Sequence, residues 1–75
     1  MDLRADVNAI GPDNYTILML AAQNGQTEMV AELLDRGAYT ESKTSEGCTA
    51  LMIAAKNGHT ETVALLLDRG ADINA

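Results

Sequence analysis

The sequence predicts an all-α solenoid of stacked helix pairs, and three observations carry that prediction. With Thr16 placed on Thr49, the stretch T-I-L-M-L-A-A-Q-N-G-Q-T-E-M-V-A-E-L-L-D-R-G-A at 16–38 lies on T-A-L-M-I-A-A-K-N-G-H-T-E-T-V-A-L-L-L-D-R-G-A at 49–71. Comparing 13–42 with 46–75, 17 of 30 positions are identical, which chance does not give in one register, so the chain is an array of one repeated unit. Within each unit, apolar residues recur at helical spacing in two runs, the first ended by Asn-Gly and the second by Arg-Gly, both helix stops. Finally, the hydrophobic content of 47% includes much Ala, with no Phe, no Trp and two Tyr. Such a core is built by close helix approach and Leu packing, not by aromatic mass.

Taken in order, Ala5-Asp6-Val7-Asn8-Ala9 reads like Ala71-Asp72-Ile73-Asn74-Ala75, the tail of a preceding unit. Gly11-Pro12-Asp13-Asn14 is a turn: Pro fixes φ and Asn tolerates the left-handed conformation. Thr16 is the expected N-cap of a first helix over 17–24, with Leu18, Ala21 and Ala22 inward and Gly25 as a left-handed stop. Thr27 is the expected cap of a second helix over 28–36, with Val30, Leu33 and Leu34 on its apolar face and Glu28 near the N-terminal dipole. A short turn makes the two antiparallel. The link over 38–48 is irregular at Tyr39-Thr40-Glu41-Ser42, and Ser45-Glu46-Gly47 restores a turn. Thr49 then caps a helix over 50–57, with Leu51, Ala54 and Ala55 inward. Thr60 caps one over 61–69, with Val63, Leu66 and Leu67 buried. This divides the chain into a partial repeat and turn (1–15), a first repeat (16–48) and a second (49–75) cut short in its final turn.

The unit resembles the ankyrin repeat, whose pattern is a turn, a T-P-L-H-x-A-A helix, a G-H linker, an E-x-V-x-x-L-L helix and G-A-D-V-N-A. The match covers essentially the whole chain. It implies an ankyrin-type helix-turn-helix solenoid whose partners are held by the turn tips and the exposed side of the first helix of each pair. Carried onto this sequence, those positions are Pro12, Asp13, Tyr15, Met19, Gln23 and Asn24 in one unit and Ser45, Glu46, Cys48, Met52, Lys56 and Asn57 in the other. The two copies mostly differ at these positions, as a binding array would and as drift on a solvated face also would. Tyr15, large and amphipathic, is the best single anchor.

The sequence departs from the family pattern at several places. Arg4 stands where Gly is usual, Asn14 likewise, and T-P-L-H becomes Thr16-Ile17-Leu18-Met19 and Thr49-Ala50-Leu51-Met52. The family's His braces the turn, and Met, a weak acceptor and no donor, is not expected to replace it. Met19 and Met52 either fill space between stacked units or form an adaptable apolar strip for a partner. Glu32 replaces the counterpart of Leu65, either solvated or paired with Arg36 one turn away. His59 holds the family's G-H position, implying a structural role in fastening the turn between helices. Leu66, Asp72 and Asn74 are also spaced as in ankyrin repeats that resemble substrates of asparaginyl hydroxylases, with turn bracing as the plainer role of Asn74.

Composition excludes more than it selects. Five Lys and Arg against eleven Asp and Glu give a net charge of −6, which argues against a phosphate backbone and hence against nucleic acid. A lone Cys48 excludes an intrachain disulfide and fits a reducing compartment. No apolar run reaches the roughly 20 residues of a membrane span, and the N-terminus lacks a signal-peptide pattern, so the expectation is a cytoplasmic protein or a piece of one. There is one His, no Ser–His–carboxylate spacing, no glycine loop leading to Lys and no ligand cluster, so neither catalysis, cofactor nor metal is expected.

The function these features predict is a non-enzymatic protein–protein interaction module. The alternatives are a structural self-assembly element and the targeting arm of a larger enzyme. Neither end carries a specialised cap, which repeat arrays need, so the chain is expected to be part of a longer array or to complete its stack against copies of itself. The second course predicts a homodimer, with Leu18, Val30 and Leu33 exposed at one end and Leu51, Val63 and Leu66 at the other.

Overall fold

The computed structural model describes residues 7–71. Among them are four α-helices: α1 (Ile17–Gln23), α2 (Thr27–Asp35), α3 (Ala50–Lys56) and α4 (Thr60–Asp68), with a short 3-10 turn over Pro12–Asn14. The pairs α1–α2 and α3–α4 stack side by side, α1 against α3 and α2 against α4. The positions of Arg4, Asp72 and Asn74 lie outside the described residues.

The starts of α1 and α3 are set as their threonines require. Thr16 Oγ1 accepts the Met19 N–H at 3.3 Å, and Thr49 Oγ1 accepts that of Met52 at 3.4 Å, each satisfying an orphan donor of the first turn. At α1 the bracing is reciprocal, because the Thr16 N–H donates to Met19 Sδ at 3.4 Å. Thioether sulfur, a weak acceptor, thus takes part in the bracing that Met is not expected to supply, at a distance suited to its larger radius.

α2 and α4 begin one residue earlier than expected and without side-chain caps. The first N–H of each is already taken by a glycine carbonyl, Thr27 by Gly25 and Thr60 by Gly58, at 3.0 and 3.1 Å. The capping roles expected of Thr27 and Thr60 are therefore corrected. All four helices end in the same way. Gly25, Gly37, Gly58 and Gly70 have positive φ, and the residue after each returns its N–H to the third-last helical carbonyl, as Gln26 does to Ala21 at 3.0 Å.

The core runs through both pairs. Leu18, Met19, Ala22, Val30, Leu33, Ala50, Ala54 and Leu66 are essentially inaccessible. Burying each Leu there contributes on the order of 2 kcal/mol. Leu51 is buried as well, and Val63 is half-buried against this cluster. The apolar residues expected to be bare at the two ends of the stack are thus mostly inside it. Those exposed are others, Leu20 at 49%, Met29 at 40% and Leu67 at 38% among them. Leu67 and Ala55, both placed inward by the sequence, face solvent.

Thr62 is a buried polar residue that periodicity missed. It is fully buried and its hydroxyl meets that of Thr27 at 2.9 Å, tying α2 to α4.

Candidate functional site

The face that would meet a partner begins at two turn tips. In the first, the Asn14 N–H returns to the Gly11 carbonyl at 3.1 Å, and Asp13 and Asn14 both take positive φ. Asn14 thereby adopts what Gly47 adopts in the second tip. There, Thr44 organises the backbone: it is buried, and its Oγ1 accepts the N–H groups of Glu46 at 3.2 Å and Cys48 at 3.1 Å. Sequence reasoning passed over Thr44, although a hydroxyl two residues before a turn N–H is a recognisable turn signal. The Ser45 N–H donates to the Asp13 carbonyl at 2.9 Å, which joins the tips into one strip. A small cleft of about 160 Å³ lies between them, lined by Asp13, Tyr15, Thr44, Ser45 and Glu46.

The tips carry Asp13 and Glu46 exposed, and Tyr15 and Cys48 half-buried. Further along α1 and α3, Gln23, Asn24, Lys56 and Asn57 are exposed. The Asn57 amide is turned onto its own helix, donating to the Ile53 carbonyl at 2.8 Å. Met52 is half-buried. Met19 does not belong to this surface. It is 1% exposed and belongs to the core cluster, and its sulfur is engaged with Thr16. Of the two readings of Met19, filling space inside the stack is the one the structure shows.

Three polar contacts lock one pair to the other. His59 Nε2 lies 2.9 Å from the Gln23 carbonyl; because a carbonyl only accepts, Nε2 carries the proton. The ring covers Gly25, where an added Cβ would come within 2.6 Å of Nδ1. His59 therefore fastens its repeat to the turn of the preceding one, rather than bracing only its own. Arg69 Nη1 meets Asp35 Oδ1 at 2.9 Å, and the Thr27–Thr62 bond completes the set. Within α2, Glu32 is exposed and also receives Arg36 Nη2 at 3.0 Å. Before α1, Asn8 Nδ2 donates to the Gly37 carbonyl at 3.2 Å, and its Oδ1 accepts the Tyr39 N–H at 2.8 Å. Asn8 thus braces the loop that follows α2.

Among the described residues, no group of three His, Cys, Asp or Glu side chains is placed to hold a metal ion. No described helix is long and apolar enough to cross a membrane.

A stack of antiparallel helix pairs, with a glycine stop at the end of every helix and tips aligned along one edge, defines a helical repeat scaffold. A family model described as ankyrin repeats (3 copies) matches residues 2–75, and the chain belongs to the ankyrin-repeat family. Such repeats are typically non-enzymatic and generally mediate protein–protein interactions. The chain is also similar to Delta-latroinsectotoxin-Lt1a of Latrodectus tredecimguttatus, 44% identical over 46 residues. The match takes in 59% of this chain but spans 4% of that protein's length.

Proposed function

We propose that this chain is a non-enzymatic binding module that holds a segment of a partner protein along the strip from the turn tips to the outer sides of α1 and α3. The observation supporting this most is the Ser45–Asp13 backbone bond, which makes two tips with different side chains into one continuous surface. Tyr15 is the anchor, supported from beneath because it packs partly against the core. Asp13 and Glu46 give the tips negative charge, and the whole chain carries −6, so the reading favours a partner segment bearing Lys or Arg.

Selection of peptides from a random display library against the folded chain tests it. Recovered sequences should be enriched in Lys and Arg. Tyr15→Ala should weaken their binding at least about tenfold, as loss of a central aromatic anchor does, when measured at a temperature where circular dichroism shows the variant still folded. Binding that ignores Tyr15→Ala and Glu46→Lys would place the contact surface elsewhere.

A further inference from the structure

The two turn tips share a base and differ above it. The Gly11 N–H donates to the Tyr15 carbonyl at 2.8 Å, as the Thr44 N–H donates to that of Cys48 at 2.9 Å. From there the second tip is fixed. The Thr44 hydroxyl accepts the N–H groups of Glu46 and Cys48, and the Ser45 N–H ties the tip to Asp13. The first tip has neither device. Gly11 stands at the position of Thr44 and brings no hydroxyl, and Pro12 stands at the position of Ser45 and has no N–H. This difference lies in residues 11 and 12 themselves and holds for any neighbouring unit. What closes the first tip instead strains the backbone. The Tyr15 N–H turns to the Pro12 carbonyl at 3.1 Å, and Asp13 takes a φ of 58°, whereas Glu46 at the same position of the second tip is not left-handed. That region disfavours a residue with a Cβ, although Asp tolerates it better than most. Glycine at 11 is required neither by backbone nor by space. Its φ of −102° and ψ of −158° are extended, and an added Cβ would meet only the Tyr15 carbonyl, at 3.7 Å.

From this we infer that the binding strip has one fixed tip and one movable tip: residues 12–14 exchange between the observed turn and the turn of the second tip, and a bound segment selects between them. The part assigned to the bound segment rests on the binding reading proposed above; the exchange itself does not. Each arrangement carries a cost. The observed turn holds Asp13 left-handed. The other turn relieves Asp13 but leaves the Asp13 and Tyr15 N–H groups to water, since Gly11 offers them no hydroxyl as Thr44 does to Glu46 and Cys48. The exchange bears on the site directly. Asp13 and Tyr15 form one wall of the cleft of about 160 Å³ between the tips, facing Thr44, Ser45 and Glu46. One wall therefore moves while the other stays. The Asp13 carbonyl also holds the Ser45 N–H, so the motion acts on the contact that joins the tips. The module thereby accepts basic segments of differing bulk, where two fixed tips would admit a narrower set.

Backbone ¹⁵N relaxation of the parent chain and of Gly11→Thr decides the matter, with circular dichroism establishing that both are folded. In the parent, Asp13 and Asn14 should show order parameters below about 0.6 or microsecond–millisecond dispersion, against about 0.85 and no dispersion at Glu46 and Gly47. In Gly11→Thr the first tip should become as rigid as the second, and the HN–Hα coupling of Asp13 should move to the value of Glu46. Adding a peptide recovered by the display selection should quench the motion of Asp13 in the parent. Repeating the selection on Gly11→Thr should return a narrower set of basic sequences. Equal rigidity of the two tips in the parent would overturn the inference, as would a first tip that stays mobile and left-handed at Asp13 in Gly11→Thr. A bound peptide that leaves the motion unchanged would overturn the selecting role of the partner. A selection that returns no peptide at all would count against the binding reading, while the relaxation of the free chain would still decide the exchange.

Discussion

A threonine at a helix start stabilises it only where a backbone N–H has no other acceptor. Thr16, Thr27, Thr49 and Thr60 look alike in the sequence but divide on this point. Thr49 is 1% exposed and holds the Met52 N–H, so Thr49→Val should cost about 1 kcal/mol. Thr60 is exposed and makes no cap, its helix being closed by the Gly58 carbonyl. Thr60→Val should therefore stay within about 0.5 kcal/mol of the parent, as neutral surface changes do. Urea denaturation of the two variants measures the difference; equal losses would show that the glycine carbonyl does not substitute for a cap. Glycines divide similarly. Gly58→Ala meets open space and should cost about 1 to 2 kcal/mol for the left-handed backbone alone. Gly25→Ala must also displace the His59 ring from Gln23. It should lose at least about 1 kcal/mol more, the value of the forfeited hydrogen bond. In a His59→Ala background that excess should vanish, and a persistent excess would remove His59 from the explanation.

At the scale of elements, much of the fold was legible because each helix is delimited by its own residues. Thr16 and Thr49 open α1 and α3, and Gly25, Gly37, Gly58 and Gly70 close all four by the same carbonyl return. What lies next to a helix is not written in its local pattern. Leu20 and Ile53 are equally apolar, yet only Ile53 is covered, and Leu34 and Leu67 are the same residue in different surroundings. That is why Ala55 and Leu67 are misplaced inward and Met19 stays open between core and contact, while turn chemistry alone places Asp13 and Glu46 in exposed turns. Thr62 was invisible to any apolar count, since its role depends on Thr27 across the α2–α4 contact. A double-mutant cycle measures that link. Thr62→Val leaves the Thr27 hydroxyl without its partner and should cost about 1 kcal/mol. Thr27→Val with Thr62→Val should cost less than the sum of the singles, giving a coupling energy of about 0.5 to 1.5 kcal/mol. Strict additivity would mean that the 2.9 Å contact contributes nothing.

For the whole molecule, the question is whether two helix pairs unfold as one. In repeat arrays, stability is a sum of unit terms and interface terms, and cooperation between neighbours lives in the interface. Here the interface is large relative to the units: Ala22 in the first pair and Ile53 and Thr62 in the second are buried, while the matching Ala55, Leu20 and Met29 are exposed. Either pair alone would uncover such residues and lose the His59, Arg69 and Thr62 contacts together, leaving too little apolar burial to offset the entropy of ordering. The chain should therefore show one transition. Tyr15 and Tyr39 lie in the first pair's tip and in the loop that follows it, and there is no Trp, so tyrosine fluorescence reports the first repeat while far-UV circular dichroism reports all four helices. The two melts should coincide in the parent chain, and Gly25→Ala should move both midpoints down together. A fluorescence midpoint that separates from the dichroism midpoint would show that the repeats melt independently and that the junction, despite its three polar contacts, does not couple them.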